Sequence, residues 1–250
     1  MIFENYKVAI TGATSGIGLA AAEMFLREGA EVIGIGRNFE KTSHLGDKFI
    51  PFKCDVRNEQ EIEKACRFIA ETFGGELDTF VNNAGSGESS TIYDVTAEQF
   101  VSSFSLLLMA PMIFGKLLYP LLKKGTKNNS SIINTASSAS RACSVEKPLY
   151  NLAKNALVLY TKQQAKGFIG VRCNSISPGF IQTPIFEREG VNMPKETVTA
   201  MYDAVALVTC GRTAEPEETA DLIGFLASED AAYINGTDVL TDGGLMTVYS

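Results

Sequence analysis

The chain of 250 residues carries one histidine, His44, in the polar stretch EKTSHLGDK. A single imidazole in a surface-like setting excludes a multi-histidine metal site and argues against a Ser-His-Asp triad; no metal is expected. Cysteine is sparse too. Cys54, Cys66, Cys143, Cys173 and Cys210 are odd in number, widely spaced and form no C-x-x-C. That is the pattern of reduced thiols in a cytoplasmic protein. Basic residues are not in excess: the net charge is −7, so nucleic acid is not an expected partner. The N-terminus, MIFENYKVAITGA, lacks a basic segment followed by a long apolar run, and no signal peptide is expected. The longest uncharged run, Gln99 to Gly115, is interrupted by serines and Pro111 and is shorter than the ~20 apolar residues of a membrane span. A membrane partner is not expected. The chain has no Pro/Ser/Gly-rich linker, internal repeat or low-complexity tract.

What is present is an alternation. KVAITG, EVIGIG, KFIPFKC, DTFVNNAG, SIINTAS, VRCNSISPG and TDVLTDGG read as strands. Gly16–Glu28, Glu59–Thr72, Thr96–Lys124, Lys147–Lys166 and Glu215–Ala227 read as helices. The repeated β-α-β order predicts an α/β fold: one domain over residues 1–250, with a doubly wound, Rossmann-type parallel sheet of about seven strands and helices on both faces. The longest departure is Thr183 to Thr209, mostly helical in composition and a candidate substrate lid.

The first strand runs into TGATSGIG, Thr11 to Gly18. Glycine at Gly12, Gly16 and Gly18 permits positive φ and a close backbone approach to a pyrophosphate. The helix that follows turns its positive end to the phosphates. Such a turn between a first strand and an Ala-rich helix, with a second strand following, is a dinucleotide fingerprint. The second strand ends Gly36-Arg37-Asn38. No acid stands there for a ribose 2′-hydroxyl, and Arg37 can grip a 2′-phosphate with its fork, which favours NADP(H) over NAD(H). The alternative is a solvated Arg37, with Glu40 serving the ribose.

Taken together, TGATSGIG, NNAG (Asn82–Gly85), YNLAK (Tyr150–Lys154), SPGFIQTP (Ser177–Pro184) and the tail from Gly211 to Gly244 resemble the short-chain dehydrogenase/reductase family over nearly the whole chain. The resemblance implies that Gly12, Thr14, Ser15, Gly16, Ile17 and Gly18 form the pyrophosphate turn. It implies that Asp55 and Val56 contact the adenine, and that Asn83, Ala84 and Gly85 line the cofactor groove. Pro178, Gly179, Ile181 and Thr183 would hold the nicotinamide end. Y-x-x-x-K occurs twice, at Tyr150/Lys154 and at Tyr119/Lys123. Tyr119 precedes Pro120 and reads as structural. Tyr150 follows Ser137 by thirteen residues, the family's Ser-to-Tyr spacing; Ser138 and Ser140 are the neighbouring alternatives.

The chemistry suits those residue types. Reducing a ketone requires a hydride at carbon and a proton at oxygen. A free phenol, with a pKa of about 10, exchanges protons slowly near neutrality. A lysine ammonium beside it favours phenolate, so Lys154 is expected to tune Tyr150 and to bind the nicotinamide ribose. Ser137 is expected to hold the substrate oxygen.

The family's fourth catalytic residue is an asparagine. Counting from Phe100 and from Pro120 places it at Leu107, so it is absent. Four residues on is Pro111, which has no N–H for the Leu107 carbonyl. The expectation is a proline kink whose freed carbonyl holds a relay water, or a kink that only shapes packing.

The reading is an NADP(H)-dependent oxidoreductase of CH–OH groups, interconverting a ketone and a secondary alcohol. A catalytically weak NADP(H)-binding sensor and an epimerase or dehydratase on the same scaffold are the alternatives. Ile185, Phe186, Val191, Met193, Met201 and Tyr202 in the lid suit an apolar ketone or hydroxysteroid-like rings, and could equally be packing. Glu187, Arg188 and Glu189 read as a solvated face. The apolar helices Thr96–Lys124 and Lys147–Lys166 suit a homodimer or homotetramer.

Overall fold

Each of the seven apolar runs becomes a strand, and all seven join one parallel sheet. The computed structural model describes residues 1–87, 90–126, 129–142, 144–186 and 193–249. The strands are β1 (Lys7–Thr11), β2 (Glu31–Gly36), β3 (Phe49–Lys53), β4 (Thr79–Asn82), β5 (Ser131–Thr135), β6 (Arg172–Pro178) and β7 (Asp238–Thr241), in the order β3-β2-β1-β4-β5-β6-β7. The chain winds outward in both directions from the β1–β4 pair. A crevice therefore opens at the C-terminal ends of those two strands, where the winding reverses.

Alternation along each strand builds two cores. Val8, Ile10, Val81 and Ile133 pack against α1 (Gly16–Arg27) and α7 (Pro216–Ala227). Ala9, Ile33, Phe80 and Ile132 pack against α2 (Glu59–Thr72), α4 (Ala110–Leu122) and α5 (Pro148–Gly167). Helix starts follow local chemistry. Asn58 caps α2, accepting from the N–H groups of Gln60 and Glu61, and Thr96 and Gln99 form a capping box before α3 (Ala97–Phe104). Proline opens α5 and α7, where its missing N–H is not needed.

Where the sequence predicts a proline kink, the structure has a π turn. Between α3 and α4, Ser105–Met109 widens by one residue, and the Ala110 N–H donates to the Ser105 carbonyl five positions back. In α-helical register the donor opposite Leu107 would be Pro111, which has none, and the chain passes this point as a π turn rather than a kink. The run Ala97–Leu122 is thus a continuous helix, long and apolar enough by composition to cross a membrane, longer than the uncharged stretch alone suggests. Its inner face, Leu106, Leu107, Phe114, Leu118 and Leu122, is buried in the sheet core, as expected of a core helix.

Beneath α5 runs a buried polar chain. The Asn82 amide donates to Asn134 Oδ1 (2.8 Å), and the Asn134 amide donates to Thr161 Oγ1 (2.9 Å) and Gln164 Oε1 (2.8 Å). It ties β4 and β5 to α5. Gly115 lets α4 approach this chain, since a methyl group there would lie 2.5 Å from the Gln164 amide nitrogen.

In the stretch expected to form the lid, α6 (Lys195–Ala206) is helical, and the Tyr202 hydroxyl donates to the Ile181 carbonyl (3.0 Å). Glu187, Arg188, Glu189 and Val191 lie outside the described residues, as does Cys143.

Candidate active site

The floor of the crevice is set by glycines. Gly12 and Gly16 have φ of +69° and +54°, backbone that L side chains rarely adopt. A Cβ on Gly18 would stand 2.2 Å from the Gly12 carbonyl oxygen and 2.4 Å from the Asn83 amide. No side chain there is possible without moving the turn off the strand. Across it, Thr11 Oγ1 accepts from the N–H groups of Asn83 (3.0 Å) and Ala84 (3.1 Å), and the Asn83 amide donates to the Thr11 carbonyl (3.2 Å). The ends of β1 and β4 are locked together at the reversal point.

These residues fit a dinucleotide. The first turn of α1 carries no acid, and no side chain caps it through Ser15, whereas α2, α3 and α7 all have a cap and first-turn acids. Its positive end is left to an anion. Gly16 also faces Thr183, whose Cγ2 would lie 3.1 Å from a Cβ on that glycine. The Pro178–Thr183 segment therefore closes over the glycine turn, and Gly179 packs against Asp242, with 2.8 Å between that backbone and a would-be Cβ. Thr14 sits against Gly36 (2.7 Å to a would-be Cβ), so Arg37 follows directly beside the turn. Arg37 is exposed and has no protein partner among the described residues. Val56 is buried at the end of β3. Asp55 Oδ1 accepts from the Arg57 N–H (3.0 Å), a turn role that does not depend on a ligand.

On the other wall, Ser137 caps a short 3-10 turn, Ser138–Arg141, with its Oγ accepting from the Ala139 N–H (3.2 Å). The Ser137 side chain also stands by the Tyr150 phenol, where it works against the rise that burial causes in the phenol's pKa. Ser138 and Ser140 are buried; the Ser140 carbonyl accepts from the Asn155 amide (2.9 Å). One turn along α5, Lys154 is only 4% exposed. Its Nζ donates to the Thr135 carbonyl (2.6 Å) and lies 5.7 Å from the Tyr150 ring centre. Helical spacing brings Tyr150 and Lys154 to one face, and β5 delivers Thr135 and Ser137 to it. The second Y-x-x-x-K is structural. Tyr119 stacks on Phe168 (4.4 Å) and donates to the Ile169 carbonyl (3.1 Å).

Burial is the largest influence on the two titratable groups. Burial raises the Tyr150 pKa, opposed by the Ser137 side chain. Burial also lowers Lys154 from 10.5 to about 8. The Lys154 ammonium donates to the Thr135 carbonyl and stands beside the Tyr150 ring. Leu107 contributes to that dry setting. A methyl group on Gly85 would be 3.5 Å from Leu107 Cδ2 and 3.7 Å from Lys154 Nζ, so both side chains border Gly85. Sequence reasoning missed the Thr135 carbonyl as the Lys154 anchor, and no sequence signal marks a backbone oxygen.

Comparison with known proteins agrees with this architecture. The family model described as enoyl-(acyl carrier protein) reductase matches residues 12–246. The chain is 34% identical to the uncharacterized oxidoreductase YxbG of Bacillus subtilis, over 97% of this chain and 92% of that one. It is 30% identical to the 7α-hydroxysteroid dehydrogenase of Bacteroides fragilis, covering 97% and 95%. Among solved structures, L-sorbose reductase from Gluconobacter frateurii, complexed with NADPH and L-sorbose, superposes with a TM-score of 0.87 at 30% identity, covering 98% and 99%. The fold and these relatives define an NAD(P)(H)-binding oxidoreductase of the kind that acts on CH–OH groups. The chain belongs to the short-chain dehydrogenase/reductase family.

The buried lysine has a measurable signature. Between about pH 8 and the usual lysine range, the unfolded chain holds the Lys154 proton more tightly than the folded one. Stability from this group is therefore lost below that window and gained as pH rises through it. From about pH 8 to about pH 9.5, wild type should gain stability relative to Lys154→Met by up to ~1.4 kcal/mol per pH unit. Urea unfolding at the two pH values checks this; parallel pH dependence would contradict a depressed Lys154.

Proposed function

We propose that the protein interconverts a ketone and a secondary alcohol with NADP(H), using Tyr150 as proton donor and acceptor. The cluster of half-buried Ser137 and Tyr150 with buried Lys154, across the crevice from the glycine turn, carries this reading. Burial keeps the Tyr150 phenol protonated at neutral pH, the form that gives a proton to a ketone oxygen. Ser137 would hold that oxygen beside the phenol. Lys154, fixed on the Thr135 carbonyl, would reach the nicotinamide ribose and return the proton to Tyr150. The bound dinucleotide would supply or accept the hydride.

Gly12, Thr14, Ser15, Gly16, Ile17 and Gly18 would cradle the pyrophosphate. Asp55 and Val56 would border the adenine, and Asn83, Ala84 and Gly85 the groove between. Pro178, Gly179, Ile181 and Thr183 would hold the nicotinamide end. The exposed, unpartnered Arg37 beside Thr14 supports NADP(H) over NAD(H). The Leu107 carbonyl, in the π turn that accommodates Pro111, would hold a water linking Lys154 to solvent. A lid over residues 183–209 would cover an apolar substrate in a single domain spanning 1–250. A catalytically weak NADP(H)-binding sensor is the second reading, favoured by an apolar Leu107 at the position of the absent asparagine. The working location would be the cytoplasm.

A panel of apolar ketones, a 7-oxosteroid and L-sorbose, with their alcohols and each nicotinamide cofactor, separates the readings at the nicotinamide absorbance. Tyr150→Phe should lower kcat by roughly 100- to 10,000-fold while NADPH binding survives. Arg37→Gln should weaken NADPH binding by roughly 10- to 100-fold and leave NADH binding nearly unchanged. Tight NADPH binding with no turnover across the panel would favour the sensor. Pro111→Ala should lower kcat several-fold more than it weakens NADPH binding; equal losses would reduce the π turn to packing. Phe100, Val101 and Met112 on α3 and α4, with Leu152 and Leu159 on α5, leave apolar side chains exposed, which supports a homodimer or homotetramer. Light scattering at micromolar concentration should show one; a monomer would contradict it.

A further inference from the structure

The turn that carries Ser137 is held from outside the family motifs. Arg141, its last residue, donates from its guanidinium to Asp238 Oδ2 on β7 at 2.5 Å. The Asp238 side chain is 5% exposed and collects further donors. Ser175 Oγ donates at 2.7 Å, and Ser177 Oγ sits 2.9 and 3.0 Å from its two oxygens. Ser175 and Ser177 lie two apart on β6, so both face the carboxylate, and Ser175 is the register partner of Asp238. Ser177 directly precedes the Pro178–Thr183 segment that closes over Gly16. From the other side, Asn155, next to Lys154, holds the Ser140 carbonyl of the same turn.

A single buried carboxylate thus links two parts of the crevice wall: the turn that aims Ser137 and the strand end that leads into the Pro178–Thr183 segment. The two serines keep the carboxylate solvated in place of water. Arg141 is the one link from it to the Ser137 turn among the described hydrogen bonds, and its side chain is 37% exposed, so it can be replaced without opening the core.

We propose that Arg141, held by Asp238, is a positioning residue that fixes the Ser137 hydroxyl against Tyr150 through the 3-10 turn. The proposal rests on Ser137 acting in catalysis, as set out above. Neither Arg141 nor Asp238 touches the reacting atoms; they act through the orientation of one hydroxyl. Losing the tether lets the turn shift, which costs the transition state rather than dinucleotide binding.

The test is a double-mutant cycle on the full-length protein, with NADPH and whichever panel ketone wild type reduces fastest. Arg141→Gln should lower kcat about tenfold and leave the NADPH Kd within about twofold, with Arg141→Lys recovering most of the rate. In a Ser137→Ala background, Arg141→Gln should lower kcat no further, because the hydroxyl it positions is gone. Asp238→Asn, which preserves size while removing the charge, should reproduce the kcat loss and serves if Arg141→Gln does not fold. Wild-type kcat in Arg141→Gln, or a full tenfold loss added on top of Ser137→Ala, overturns the proposal. A fully active Ser137→Ala overturns the catalytic reading of Ser137 instead, and this proposal with it.

Discussion

The joint between Thr11 and Asn83 is the constraint on which the rest of the crevice depends. Parallel strands diverge at a reversal point, and nothing in the sheet ladder beyond them holds their ends. Here one hydroxyl accepts two backbone N–H groups of the β4 loop, and one amide returns to the β1 carbonyl. The glycines make this possible by what they lack: a Cβ on Gly12 would press to 2.9 Å from Ala84, and one on Gly18 would enter the Gly12 carbonyl. The start of α1, the end of β1 and the end of β4 therefore meet at backbone distance. The start of α1 is held at the same opening, where its positive end favours an anion.

The opposite wall is built from side chains on two elements whose relation is set by buried polarity. Asn134 on β5 bonds to α5 through Thr161 and Gln164, so the helix bearing Tyr150 and Lys154 cannot rotate without orphaning amides inside the core. Orphaned buried polar groups cost about 1–3 kcal/mol each, whereas apolar packing alone tolerates small rotations. The same strand ends in the Thr135 carbonyl that anchors Lys154 and in Ser137 two residues on. Polar specificity in β5 is thereby converted into alignment of a hydroxyl, a phenol and an ammonium.

Much of this was legible in residue order. Short apolar, β-branched runs and the glycine turn located all seven strands, because a parallel sheet buried on both faces demands continuous apolar runs such as EVIGIG. Helix ends came within one or two residues where proline or a capping box marks them, as at Pro148 and Thr96. Long-range polar pairing was not legible. Asp238, Arg141, Ser175 and Ser177 are far apart in sequence, and only the β6–β7 register brings them together. An acid at the start of a strand and two serines at alternate positions of another were the available signals; each alone reads as a strand-edge polar residue. The π turn escaped for a related reason. Proline marks a missing donor, but whether the helix kinks or widens depends on the core that Leu106, Leu107 and Phe114 must fill.

That core also explains why a leucine can stand at the mouth of a polar site. Lys154 carries an ammonium whose burial lowers its pKa from 10.5 to about 8, which corresponds to roughly 3 kcal/mol of disfavoured charge. An asparagine at position 107 would offset some of that by offering polar atoms; leucine offers none. The widened turn keeps Leu107 buried in the α2–α4–α5 core while its Cδ2 borders Gly85 near the ammonium. The chain therefore gains apolar packing at the centre of its longest helical run and leaves the ammonium with the Thr135 carbonyl as its hydrogen-bond partner among the described residues. A lysine whose burial lowers its pKa to about 8 gives up its proton more readily than a fully solvated one. Leucine at position 107 thus leaves the buried ammonium to a main-chain acceptor, the Thr135 carbonyl, rather than to a polar side chain at that position.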